Sequence, residues 1–152
     1  MDLSKEIGDK RGIAESMLRL GNVTNSLGDF EQAKNYYEDS QDNYKKIGSK
    51  SGIAATTLSL GNIALNQGDY GLAKKYNEES LFIFKEIDHK YGIALSIHNL
   101  GDVSLFQGDY EQAKKYLEEG LDLLKEIGNK KGMAFSVNTL GNIVLNQGDY
   151  EL

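Results

Sequence analysis

The chain has 152 residues, a net charge of −6 and no cysteine, proline or tryptophan. An acidic balance argues against a nonspecific binder of nucleic acid or anionic membrane, because both need a positive field. Without thiols there is no disulfide framework, no thiolate nucleophile and no cysteine-held zinc; no apolar run is long enough to span a bilayer, and Met1-Asp2-Leu3-Ser4-Lys5 lacks the apolar core of a signal peptide. The expected setting is cytoplasmic.

In chain order, residues 1–8 match the tail of a helix, since Lys5-Glu6-Ile7-Gly8 aligns with Lys125-Glu126-Ile127-Gly128. Gly8 is expected to end that helix and Asp9 to cap the next. Over 9–48, Ile13, Met17, Leu20, Thr24 and Leu27 recur in steps of four and three, which places them on one face of a helix, here helix A. The pair Gly28-Asp29 then supplies a left-handed stop and a side-chain acceptor for the next helix. Phe30, Ala33, Tyr37, Ser40, Tyr44 and Ile47 define that next one, helix B. Residues 49–88 repeat the pair, with helix A from Ile53 to Gln67 and helix B carrying Leu81, Phe84 and Ile87. Residues 89–128 repeat it again, with Ile93 to Gln107 and then Leu121, Leu124 and Ile127. A partial fourth copy, 129–152, has Met133 to Gln147 and stops as a further helix B begins at Tyr150.

A fixed grammar carries the 40-residue period: Leu20-Gly21-Asn22, Gly28-Asp29-Phe30 and Ala33, then the same at Leu60-Gly61-Asn62, Gly68-Asp69-Tyr70 and Ala73, and at Leu100-Gly101-Asp102, Gly108-Asp109-Tyr110 and Ala113. Such a period means a solenoid in which each unit covers the next one's apolar face. Gln32 and Gln112 suit a capping box with Asp29 and Asp109, and Lys45, Lys85 and Lys125 oppose the negative end of each B-helix dipole. Gly21, Gly61, Gly101 and Gly141 lie inside helix A, where each costs roughly 1 kcal/mol against Ala. Close approach of the paired helix B explains that cost. The expected fold is all-α, a right-handed solenoid of antiparallel helix pairs forming one array over 1–152.

These residues resemble the tetratricopeptide repeat (TPR), whose ordinary unit is 34 residues. The spacing from Gly21 to Ala33 fits, and about six extra residues fall near Tyr44 to Lys46. The longer unit is similar to the repeats of spindle-orientation adaptors and of prokaryotic regulatory and scaffold proteins. Met17, Thr57, Ile97 and Val137 stand where the family favours Trp, and its proline after helix B is missing.

The resemblance implies that helix A lines an inner groove. Residues off the packing seam include Arg19, Asn22, Ser59, Asn62, Asn66, Leu95, Asn99, Asp102, Phe106, Phe135, Asn142 and Asn146, with His98 and Asn138 beside them. A primary amide donates and accepts, so the ladder Asn22, Asn62, Asp102, Asn142 is expected to pair with the backbone of an extended peptide of on the order of ten residues. In the adaptors this chain resembles, matching asparagines act so. Leu95, Phe106 and Phe135 are expected to form an apolar pocket that selects a side chain. The alternative is that these asparagines are solvated or bonded to neighbouring helices. A basic carboxylate clamp is not evident, with Arg19 alone on helix A, and the Lys34, Lys74 and Lys114 row is interleaved with glutamates as an outer solvated face.

His98 and Asp102 share a face at i, i+4, a spacing compatible with metal ligation or an oriented base, but no second histidine, activated nucleophile or phosphate loop joins them. The sequence therefore points to a noncatalytic scaffold for a protein or peptide partner, without metal or cofactor. The runner-up is a sensory or regulatory segment of a larger protein. The fourth helix A lacks its covering helix, so two expectations stand: the chain is a segment of a longer array, or the face of Met133, Val137, Leu140 and Val144 is covered by another copy.

Overall fold

In the computed structural model, which describes residues 2–148, each turn between paired helices is built by one Gly-Asp step. Gly28, Gly68 and Gly108 have φ near 80° (82, 79 and 78°), the left-handed conformation that side chains resist. The aspartate that follows accepts a backbone N–H three residues on: Asp29 from Gln32 at 3.1 Å, Asp69 from Leu72 at 3.0 Å and Asp109 from Gln112 at 3.1 Å. These turns separate α1 (Leu3–Ser26), α2 (Phe30–Lys46), α3 (Lys50–Asn66), α4 (Tyr70–Glu86), α5 (Lys90–Phe106), α6 (Tyr110–Glu126) and α7 (Lys130–Asn146). No strand occurs among the described residues. Consecutive helices pack antiparallel, and odd-numbered helices share one flank of the array.

The return turns use the same geometry with more varied residues. Gly48 and Gly128 are left-handed, and so is Asp88 at φ 52°, where the repeat lacks its glycine. Ser49, His89 and Asn129 cap the following helices; the Gly92 N–H donates to His89 Nδ1 at 2.9 Å, so this histidine is a helix cap and not a free loop residue. The first unit departs from expectation. Helix α1 runs unbroken through Gly8 and Asp9, and Asp2 caps it by accepting from the Ser4 N–H at 3.1 Å. Among the described residues a turn at Gly8 would fold back Leu3 and Ile7 as the apolar side chains, too little area to offset ordering that segment.

Glycines mark the closest helix crossings. A Cβ on Gly21 would lie 2.5 Å from the Tyr37 ring, one on Gly61 3.0 Å from Asn77 Nδ2, and one on Gly101 3.0 Å from Leu117 Cγ. Gly141 has no such neighbour, because no helix covers it among the described residues. A second set, Gly52, Gly92 and Gly132, seats Tyr44, Phe84 and Leu124 of the preceding helix; the equivalent Gly12 faces open space. Ala33, Ala73 and Ala113, all fully buried, complete the close contacts.

A buried hydroxyl row ties the two helices of a unit and, at Ser80, one unit to the next. Ser40 donates to the Ala14 carbonyl at 2.6 Å; Ser80 donates to the Ala54 carbonyl at 3.1 Å and lies 3.1 Å from Ser96 Oγ. The third unit has Gly120 at that position, and the Ser136 hydroxyl opposite is buried without a partner.

Two stability predictions follow from these contacts. Gly12→Ala raises the free energy of unfolding in urea, by up to about 1 kcal/mol from helix propensity, whereas Gly92→Ala lowers it by about 1–3 kcal/mol because the Phe84 ring must move. Equal signs for the pair would contradict the packing. Gly120→Ser, whose Cβ would meet the Ala94 carbonyl at an unstrained 3.6 Å, gains about 1 kcal/mol from propensity and a hydrogen bond to Ala94 or Ser136. Thermal and urea unfolding read this directly, and Gly120→Ala separates propensity from the hydroxyl.

Candidate functional site

On the flank lined by the odd-numbered helices, side chains at steps of four and three leave two adjoining clefts. The first, about 460 Å³, spans α1 to α5 and is lined by Arg11, Glu15, Asn22, Ala55, Ser59 and Leu95 among others. The second, about 260 Å³, lies between α5 and α7 and holds Tyr91, Leu95, His98, Asn99, Asp102, Leu124 and Phe135. Tyr91 and Leu95 border both. The five expected residues Leu95, His98, Asn99, Asp102 and Phe135 thus converge in one place.

Phe106 does not join them. It sits at the last residue of α5, and its ring stacks on Tyr70 at the neighbouring Gly-Asp turn, with centroids 6.0 Å apart and planes 16° apart. About three helical turns separate it from Leu95, so the apolar pocket is closed by Tyr91 and Leu124 instead. Arg19, Asn66, Asn138, Asn142 and Asn146 are exposed, and their side chains make no hydrogen bond among the described residues. Ser59 is half-buried and donates to the Ala55 carbonyl at 3.0 Å.

The asparagines of the first two units are oriented by the protein. Tyr37 Oη donates to Asn22 Oδ1 at 2.8 Å. Asn99 Nδ2 donates to Asn62 Oδ1 at 2.7 Å and also to Asn77 Oδ1 at 3.2 Å, while the fully buried Asn77 donates to the Ala73 carbonyl at 2.8 Å. Both Asn99 N–H groups are therefore committed inside the array, and Asn99 is part of its framework. The carbonyl oxygens of Asn22 and Asn62 are occupied, and their NH2 groups have no protein partner among the described residues. Asn77 was legible: it takes the place of Tyr37 and Leu117, a polar side chain at a core position of the repeat. Arg11 and Tyr91 follow the same four-residue stepping as Glu15 and Leu95.

His98 is buried, with its ring tilted on Phe135 at 5.0 Å between centroids. Its Nδ1 lies 3.5 Å from Asp102 Oδ2, beyond a charge-assisted hydrogen bond, and its Nε2 is buried without a partner. Burial raises the Asp102 carboxyl above its ordinary 3.8, and the His98 charge pulls the other way. No group of three or more His, Cys, Asp or Glu side chains is placed to hold a metal ion among the described residues, and no helix there is long and apolar enough to cross a membrane.

A continuous stack of helix pairs with an open flank defines the class, an α-solenoid repeat protein. Tetratricopeptide repeat models match residues 52–126 and 14–46, most of the chain, and the chain belongs to that family. No curated protein matches the sequence. Among solved structures it is similar to a Rap protein complexed with competence and sporulation factor, with TM-score 0.85 and 20% identity over 96% of this chain and 40% of that one. Apo RapI gives 0.81 and 18% over 93% and 40%; the TPR domain of Arabidopsis FLU gives 0.71 and 21% over 77% and 98%. The chain spans about two fifths of the Rap proteins' length, and at these identities the likeness is one of fold.

The buried carboxyl makes stability depend on pH in a defined direction. Folded Asp102 holds its proton to higher pH than an unfolded aspartate, so its contribution is fully present below 3.8 and is lost as pH rises through the folded value. Asp102→Asn is expected to raise the urea midpoint relative to the wild type at pH 7 and to leave it nearly equal at pH 3. The same difference at both pH values would refute the assignment.

Proposed function

We propose that this chain is a noncatalytic scaffold that lays an extended peptide segment of a partner protein along the flank of α1, α3, α5 and α7. The observation that carries the proposal is the orientation of Asn22 and Asn62. Tyr37 and Asn99 occupy their oxygens, which leaves their amide donors, Asn22's at the first cleft, for the carbonyl groups of a strand whatever its side chains. Leu95 and Phe135 add apolar area at the far cleft, and the acidic, uncrowded surface suits a polypeptide better than a nucleic acid. Solved relatives of the same fold support a binding role, since one is complexed with a factor. Because the chain spans only part of that protein's length, a regulatory segment of a larger assembly is the second reading.

In this proposal the protein works in the cytoplasm, and a second copy covers the exposed Val137 and Val144 of α7.

A phage-displayed library of random ten-residue peptides provides the test. Peptides selected on the wild type are expected to bind the Asn22→Ala, Asn62→Ala double variant roughly tenfold or more weakly, from about 1 kcal/mol per lost hydrogen bond, with helicity retained. Undiminished affinity, or a failure of the library to yield any binder, would overturn the proposal.

A further inference from the structure

We propose that the cleft between α5 and α7 accepts one cationic group of the bound peptide, a guanidinium or ammonium, with Asp102 as its charge partner. This rests on the peptide-binding reading and adds chemical selectivity to it. At about 260 Å³ the cleft falls below the size of a small-molecule site and suits a single side chain. Among the described residues no Lys or Arg lines it. Asp102 is the carboxylate there, and the 3.5 Å gap to His98 Nδ1 leaves its acceptor capacity largely unused. The exposed rings of Tyr91 and Phe135 border the same space, where ring faces attract a cation, and Leu95 and Leu124 offer apolar surface to the methylenes of a long stem.

The other cleft lacks this bias. Arg11 and Glu15 both line it, so their charges oppose one another, and the α3 residues Ser51, Ala55 and Ser59 are uncharged. Sign selection is therefore concentrated at Asp102. Cations can come from a Lys or Arg side chain or from the peptide's free amino end, and the two sources share the chemistry of the site.

Synthetic versions of library-selected peptides, measured by fluorescence anisotropy, separate the outcomes. Replacing the basic residue by norleucine, or acetylating the amino end where that supplies the charge, is expected to weaken wild-type binding about tenfold. The same change is expected to matter less than threefold on Asp102→Asn. Phe135→Ala, at an exposed position, should weaken the same peptides and so tests the cleft independently of the carboxylate. Binders without any basic preference, or an equal penalty on both proteins, would overturn this inference while leaving the scaffold reading intact. If no peptide binds the wild type, both fall.

Discussion

The array depends on how closely each helix can approach the next. Six glycines along α1, α3, α5 and α7 remove the side chains that would hold the helices apart, and into those gaps go Tyr37, Asn77 and Leu117 from one neighbour and Tyr44, Phe84 and Leu124 from the other. Each glycine weakens its own helix by roughly 1 kcal/mol. Burial of a ring or a branched side chain, at about 25 cal/mol per Å² of apolar area, outweighs that. Where no neighbour stands among the described residues, as at Gly12 and Gly141, the glycine keeps its cost and gains nothing there.

The same closeness positions the open flank. Because α2 lies tightly on α1, Tyr37 reaches across to hold Asn22, and because α4 lies between α3 and α5, Asn77 can draw Asn99 and through it Asn62 into one polar chain. A buried amide with an unmet bond would cost about 1–3 kcal/mol, so this chain is satisfied inward first. What it leaves outward is a set of donors. Asp102, lacking such an inward partner and set beside the half-engaged His98, leaves an acceptor instead, and the two ends of the flank differ in chemistry for that reason.

Departures from strict repetition show where the pattern is informative and where it misleads. Asp88 adopts the left-handed turn of the glycines it replaces, and His89 caps α5 as Ser49 and Asn129 cap their helices, so the return turn survives substitution because its geometry is imposed by the packed helices on both sides. Gly8 looks like the same signal and yet lies inside α1. A glycine permits a turn and does not enforce one; without an apolar face to lay over Gly12, the helical hydrogen bonds continue. Gly120 removes a hydroxyl from a row that the other units keep, and Ser136 is left unpaired as a result.

From the sequence alone the period, the paired helices, the Gly-Asp turns and the membership of residues such as Leu95, Asp102 and Phe135 on one flank were legible, because spacing along a helix determines its faces. Spacing says nothing of which neighbour a side chain meets across a helix crossing. Only the tertiary structure decided that Phe106 leans on Tyr70 and away from the cleft, that Asn99 belongs to the interior chain with Asn77, and that Asn22 and Asn62 keep their amide donors free. Those outcomes turn on hydrogen bonds of about 3 Å and a ring stack at 6.0 Å between residues 15 to 37 apart in sequence, and such distances are fixed by the depth of helix packing.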